Sequence, residues 1–229
     1  AEPKLTAQQI IDKTIVYSGA DKVANSVITF KFRDNKYLAT RKNGNYSLQK
    51  QFTKNSETMT HIVSNHGFSE LINGAPLKSI DSTVSNYSNA VNSVHYFSVL
   101  PFGLNDNAVN KKLLPSVKIK GKEYYKIQVT FNEDGGGEDF DDVFLYWFDA
   151  EDYSMDYLAY SYRENDGGTR FRSATKARRV NGIMFQDYGN YKGPADPDSL
   201  HFILDLYKNG ALELLSQIEL TKIQVQTVE

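Results

Sequence analysis

Apolar and polar residues alternate with period two over much of this chain. Ile28, Phe30 and Phe32 alternate with Thr29, Lys31 and Arg33, the spacing of a strand with one buried face. Asp34-Asn35 turns into Tyr37 to Arg41, and Asn43-Gly44 is a strong hairpin signal. Tyr46, Leu48 and Phe52 then alternate with Ser47, Gln49 and Gln51, and Met59, His61 and Val63 continue the pattern. Asn65-His66-Gly67 leads into Phe68 to Ile72, where Asn73-Gly74 turns again. Links this short cannot cross over a sheet, so the run predicts an antiparallel meander.

Helical spacing interrupts the alternation in a few places. Thr6 to Gly19 reads as a helix, with Thr6 as N-cap, Gln9 as its capping-box partner and Gly19 as the stop. Its apolar face is expected to be Ile10, Ile11, Ile15 and Val16. Ser85 to Ser98 places Tyr87, Val91, Val94 and Ser98 at helical spacing. Its Asn and Ser content gives it poor intrinsic propensity, so tertiary packing must hold it. Asp106 to Leu114 is expected to be a short helix stopped by Pro115. Leu200 to Tyr207 fits a helix capped by Asp198 and closed at Gly210, with a strand as the alternative.

Strands resume at Tyr125 to Phe131. Val143 to Phe148 is apolar at every position, as a central strand should be. Met155 to Tyr162 and Thr169 to Val180 follow, Asn181-Gly182 turns into Ile183 to Tyr191, and a last strand is expected from Leu212 to about Val225. The order is one helix, a meander, a helical insertion, then more meander. It predicts a β-dominant α+β fold: a curved antiparallel sheet, or half-barrel, with a few helices covering its concave side. No linker or repeat divides the chain, so residues 1–229 are expected to form one domain.

Composition narrows the chemistry. Of 229 residues, 15 are Tyr and 13 Phe but only one is Trp, a load suited to a sheet with one wet face or a lined cavity. The absence of cysteine excludes disulfides and thiolate chemistry. A net charge of −2 gives no field for nucleic acid. No apolar run approaches the roughly 18 residues that span a bilayer. Ala1 in place of Met reads as a mature or trimmed start.

Several phrases carry a family resemblance. They are the Thr-Ala-Gln-Gln-Ile-Ile helix from Thr6, Asn92-Ser93-Val94-His95-Tyr96-Phe97 with Leu100-Pro101-Phe102, and Gly121-Lys122-Glu123-Tyr124-Tyr125. Gly135-Gly136-Gly137, Tyr146-Trp147 and Gly168-Thr169-Arg170-Phe171-Arg172 complete the set. Together the chain resembles a less characterised branch of the bacterial lipoprotein-carrier (LolA-like) exported proteins. The resemblance implies an exported protein built as an incomplete β-barrel with a hydrophobic cavity under helices; the expected location is periplasmic or outer-membrane-associated, and the cell-envelope reading below adds a lipid anchor upstream of Ala1. The resemblance assigns no functional residue.

Two charged features stand out. Glu133, Asp134, Glu138, Asp139, Asp141 and Asp142 surround three glycines. Asp139 and Asp142 are the candidate ligands for a hard cation such as Ca²⁺, although the spacing is not that of an EF-hand and a solvated hairpin tip explains the same residues. Arg170, Arg172, Lys176 and Arg178 fall on one strand face. An anionic ligand would compensate them, and so would acids on a neighbouring strand, with Glu164, Asp166 and the acidic hairpin available. His95, Trp147, Tyr160, Arg170 and Arg172 are the candidate ligand-binding side chains. The four histidines form no metal pair, and no nucleophile elbow, phosphate loop or dinucleotide fingerprint is present.

These features order three readings. The first is a non-enzymatic periplasmic protein without a cofactor, holding a lipid or other hydrophobic ligand in the half-barrel. The second is a cell-envelope module with a filled core and a protein partner. The third is a hydrolase using acidic residues of 133–142.

Overall fold

The structure, a computed structural model, describes residues 5–134, 141–163 and 167–228. In chain order the regular elements are α1 (Ala7–Ser18), β1 (Ser26–Phe32), β2 (Asn35–Lys42), β3 (Asn45–Lys54), β4 (Glu57–Ser64), β5 (Gly67–Ile72), β6 (Ala75–Leu77) and α2 (Asp81–Ser98). There follow β7 (Val109–Ile119), β8 (Lys122–Phe131), β9 (Val143–Asp149), β10 (Met155–Tyr162), β11 (Gly168–Val180), β12 (Ile183–Lys192), α3 (Ile203–Lys208), β13 (Glu213–Ile218) and β14 (Leu220–Thr227). Short 3-10 turns precede β1 and α3. The expected β-dominant α+β class holds. Two seven-stranded antiparallel sheets make it, neither closed into a barrel.

Packing divides the chain into two compact units. One holds Ala1–Ser18, Gly103–Lys176 and Asp187–Ile218, and the other Gly19–Phe102, Ala177–Gln186 and Glu219–Glu229.

The meander read from the first part of the sequence is real. Its sheet runs β14-β1-β2-β3-β4-β5-β6. Asn-Gly pairs set the tight turns. Asn43 and Gly44 sit at φ 50° and 79°, and Asn73 and Gly74 at 48° and 84°, the left-handed pair that matches the twist of the flanking strands. The inward positions, including Ile28, Phe30, Tyr37, Ala39, Leu48 and Val63, form a core with Val91 of α2 and with Ile183 and Phe185. Val91 is fully buried, and burial of such a side chain contributes about 1.5–3 kcal/mol. That offsets the weak propensity of α2, which packs on β3 and β4.

The other unit is built on β13-β12-β11-β10-β9-β8-β7. β9 is paired on both edges and buried from Phe144 to Asp149, as its continuous apolar run requires. One face of this sheet packs Leu145, Trp147, Tyr157, Ala159 and Phe171 against Leu200, Ile203 and Leu204 around α3. α1 begins with the reciprocal capping box: the Thr6 N–H donates to Gln9 Oε1 at 2.9 Å, and the Gln9 N–H to Thr6 Oγ1 at 3.2 Å.

Several expectations are corrected. Asp106 to Leu114 is not helical. Val109 onward is β7, paired with β8, and Pro115 sits where the register shifts. β7 is an edge strand, so the missing proline N–H breaks no ladder. The buried positions of α1 are Ile10, Ile11, Thr14 and Ser18, while Val16 is 77% exposed. Leu200 to Tyr207 is helical, but the cap is Asp196, whose side chain accepts from the Asp198 N–H. The single C-terminal strand is two strands in different sheets, separated at Glu219.

Candidate functional site

Strand register defines the inner face of the first meander. Ile28, Ala39, Leu48, Val63 and Phe68 lie in one row across β1 to β5, and Phe30, Tyr37, Lys50, His61 and Glu70 in the next. α2 covers this face unevenly. Its buried residues are Val91, His95 and Ser98, all in the C-terminal half. Over the N-terminal half, Tyr87 and the facing Phe52 and Phe68 are only partly buried.

His95 is the predicted candidate that this face contains. It is 1% exposed, and its Nε2 lies 3.0 Å from the Gln49 carbonyl. The rings of Phe30 and Tyr37 meet it edge-on with centroids 5.8 and 5.5 Å away. Burial pushes its imidazole down to about 4, the Gln49 bond opposing and the Arg41 charge reinforcing the shift. The ring is therefore neutral at neutral pH and donates from Nε2.

Arg41 escaped the sequence reading. It lies on the inner side of β2 with Tyr37 and Ala39, across from Ser26 and Tyr46. It is 8% exposed. Its guanidinium carbon is 5.4 Å from the centre of the Phe102 ring, and buried Nη1 has no hydrogen-bond partner. Among the described residues no carboxylate pairs with it. Burial lowers it to about 10, still charged at neutral pH. The signal was present in strict alternation: Arg41 is in phase with Tyr37 and Ala39, so a cation occupies a core position.

A second polar group lies further along the same face. His61 Nε2 is 3.2 Å from Glu70 Oε1, and Ser79 Oγ donates to Glu70 Oε2 at 3.3 Å. Tyr87 stacks on His61 at 4.4 Å, with Phe52 and Phe68 edge-on at 4.9 and 5.5 Å. Burial lowers the His61 pKa, opposed by Glu70. The carboxylate stands between hydroxyl and imidazole, so this contact does not present the serine to a base. Lys50, between Tyr37 and His61 in the register, rests its ammonium 5.3 Å over Phe52 and is lowered by desolvation.

The other unit brings Tyr160, Arg170 and Arg172 together on one face of β10 and β11. Tyr160 is opposite Arg170. Arg170 lies 5.0 Å over Tyr162, and Arg172 donates to the Tyr160 hydroxyl at 3.4 Å. Phe144 stacks on Tyr160 at 5.4 Å. Lys176 is exposed, and Arg178 donates to the Leu220 carbonyl, so the four cations do not act as one cluster. Trp147 is on the opposite sheet face, fully buried against Phe171. Asp142 is partly buried at the start of β9, while Asp139, Glu164 and Asp166 lie outside the described residues. Asp141 pairs loosely with Arg163 at 3.8 Å. Among the described residues no cluster of three metal-ligating side chains occurs, and no helix is long and apolar enough to cross a membrane.

Comparison with known proteins fits this architecture. The model of a family of unknown function (DUF6503) matches residues 2–220. No curated protein matches in sequence. A LolA superfamily protein from Nitrosomonas europaea aligns over 99% of this chain and 94% of its own, with a TM-score of 0.53 and 10% identity. The fold is therefore LolA-like, and at that identity the likeness is one of fold alone. A DUF1329 family protein from Desulfovibrio piger (TM-score 0.40, 9% identity, 96% and 91% coverage) and the lipoprotein LppX from Mycobacterium tuberculosis (0.31, 14%, 72% and 92%) are weaker likenesses.

Proposed function

We propose that this chain, which belongs to the DUF6503 family, is a non-enzymatic binding protein that holds a lipid or other apolar ligand on the inner face of its β1–β6 sheet, beneath α2. Residues 1–229 act as one domain in this reading, and the setting is the periplasm or the outer-membrane surface. The observation that carries it is the unequal seating of α2. Val91, His95 and Ser98 anchor its C-terminal half, while its N-terminal half leaves Phe52, Phe68 and Tyr87 only partly covered. A helix rich in Asn and Ser, held at one end, is displaced at lower cost than one sealed along its length. The strip it uncovers presents the Phe52, Phe68 and Tyr87 rings around the His61–Glu70 pair, a mostly aromatic lining with few polar groups of the kind that buries an acyl chain or similar group.

The LolA-like fold supports the same reading by analogy of architecture. The test is direct. Protein purified from its own host should carry co-extracted lipid detectable by mass spectrometry, and delipidated protein should bind a fluorescent fatty-acid probe saturably. Absence of both would remove the proposal. A disulfide tying α2 to β4 should suppress probe binding and restore it on reduction if the helix is the cover.

A further inference from the structure

We propose that the Arg41 guanidinium recognises the anionic oxygens, carboxylate or phosphate, of an amphiphile whose chain lies on the same sheet face. This rests on the binding role above and names the ligand's head.

The argument begins with an uncompensated charge. Arginine is almost never buried unless paired, because a bare charge loses its hydration and gains nothing in return. Arg41 is 8% exposed, and Nη1 is fully buried without an acceptor. Its surroundings offer little else. The cross-strand neighbour Ser26 directs its hydroxyl to the Val23 carbonyl at 2.9 Å. The titratable neighbour that senses Arg41 is His95, neutral and itself a donor to Gln49. Glu70, the carboxylate buried on this face, already accepts from Ser79 and pairs with His61. The guanidinium carbon lies 5.4 Å over the centre of the Phe102 ring, a contact that uses up no N–H as a hydrogen bond. That leaves the N–H edge as the part still able to bind, the edge that grips a carboxylate or phosphate through two parallel bonds.

The rest of the face suits an anion with an apolar tail. Lys50 adds a second cation there without a carboxylate partner among the described residues. Ala39 and Leu48, apolar and adjacent in register, separate the row of Arg41 from the row of Lys50. A head at Arg41 would send its chain over Leu48 and Val63 toward Phe52 and Phe68, where α2 covers least.

The experiment compares a fluorescent long-chain fatty acid with its methyl ester, on wild type and on Arg41→Met, with inorganic phosphate as competitor. Loss of a charge-assisted bond predicts that wild type prefers the acid by about tenfold to a hundredfold and that Arg41→Met loses the preference while still binding the ester. Phosphate that fails to compete assigns the anion to the amphiphile head. Phosphate that displaces the acid but not the ester shows that the head sits on the guanidinium, whereas phosphate binding that is lost in Arg41→Met, with no preference for acid over ester, assigns the guanidinium to a free anion and overturns the amphiphile assignment. Equal binding of acid and ester by wild type overturns the inference while leaving the apolar site standing, whereas no binding of either removes both. Arg41→Lys, which keeps the charge but not the fork, should retain only part of the preference. If Arg41→Met fails to fold, the wild-type acid-to-ester ratio and Arg41→Lys decide the matter.

Discussion

Acidification should destabilise this protein through His95. The imidazole is 1% exposed, set edge-on to the Phe30 and Tyr37 rings, and held neutral with its pKa pushed down to about 4 from an ordinary 6.5. Between those values the unfolded chain binds a proton that the folded chain refuses. Stability from this group is therefore complete above the unfolded pKa and is lost as pH falls toward the folded one. Going from about pH 7 to about pH 4.5 should cost about 2–3 kcal/mol through His95 alone. Other groups titrate as well: His61 is lowered and adds loss in the same direction, while Asp106, raised by desolvation, works the other way. Comparison with His95→Gln isolates the one residue, since glutamine keeps an N–H within reach of the Gln49 carbonyl and does not titrate. Urea unfolding of both proteins across that range should show the wild-type curve falling more steeply, by that amount. Parallel curves would refute the reasoning, because they would mean that His95 gains its proton in the folded state without penalty.

Two further substitutions test the local physics. Thr6→Ala removes one arm of the capping box on α1 and should lower stability by about 1 kcal/mol, read from thermal or denaturant unfolding. Gly19→Ala should cost more, about 2–4 kcal/mol, because Gly19 holds φ +67° and a Cβ there would collide with the Gly182 carbonyl oxygen. A Gly19→Ala protein as stable as wild type would show that this backbone can shift freely.

How much the sequence reveals depends on the range of the interaction. The capping box of Thr6 and Gln9 spans one helical turn, and each Asn-Gly turn spans two residues, so composition and spacing identify them. The continuous apolar run of β9 reports burial on both faces whatever the neighbours are. The Asp106 to Leu114 segment is the opposite case. Its spacing suits a short helix, yet its backbone bonds go to β8 and make it an edge strand, a pairing between distant positions that local propensity does not register.

The site divides along the same line. His95 was readable as a residue able to face a cavity, because it falls one turn beyond Val91 on α2. Arg41 was half readable. Alternation alone placed it in phase with Tyr37 and Ala39, but charge argues for a solvated end of the strand, and only the packed structure shows the cation under cover with Nη1 unpaired. The strip of arginines on β11 shows the converse. Period two put Arg170, Arg172, Lys176 and Arg178 on one face, and tertiary packing gave the three arginines separate partners in an aromatic ring, a hydroxyl and a carbonyl and left Lys176 exposed.

By itself, then, the sequence determined the strand-dominated class, the turns and the helix caps, since these follow from contacts within a few residues. Two sheets in place of one, the edge position of β7, the passage of the C-terminus from one sheet to the other at Glu219 and the burial of Arg41 were decided by tertiary structure. Each depends on which distant segment supplies the hydrogen-bond ladder or the apolar cover, and no local pattern contains that choice.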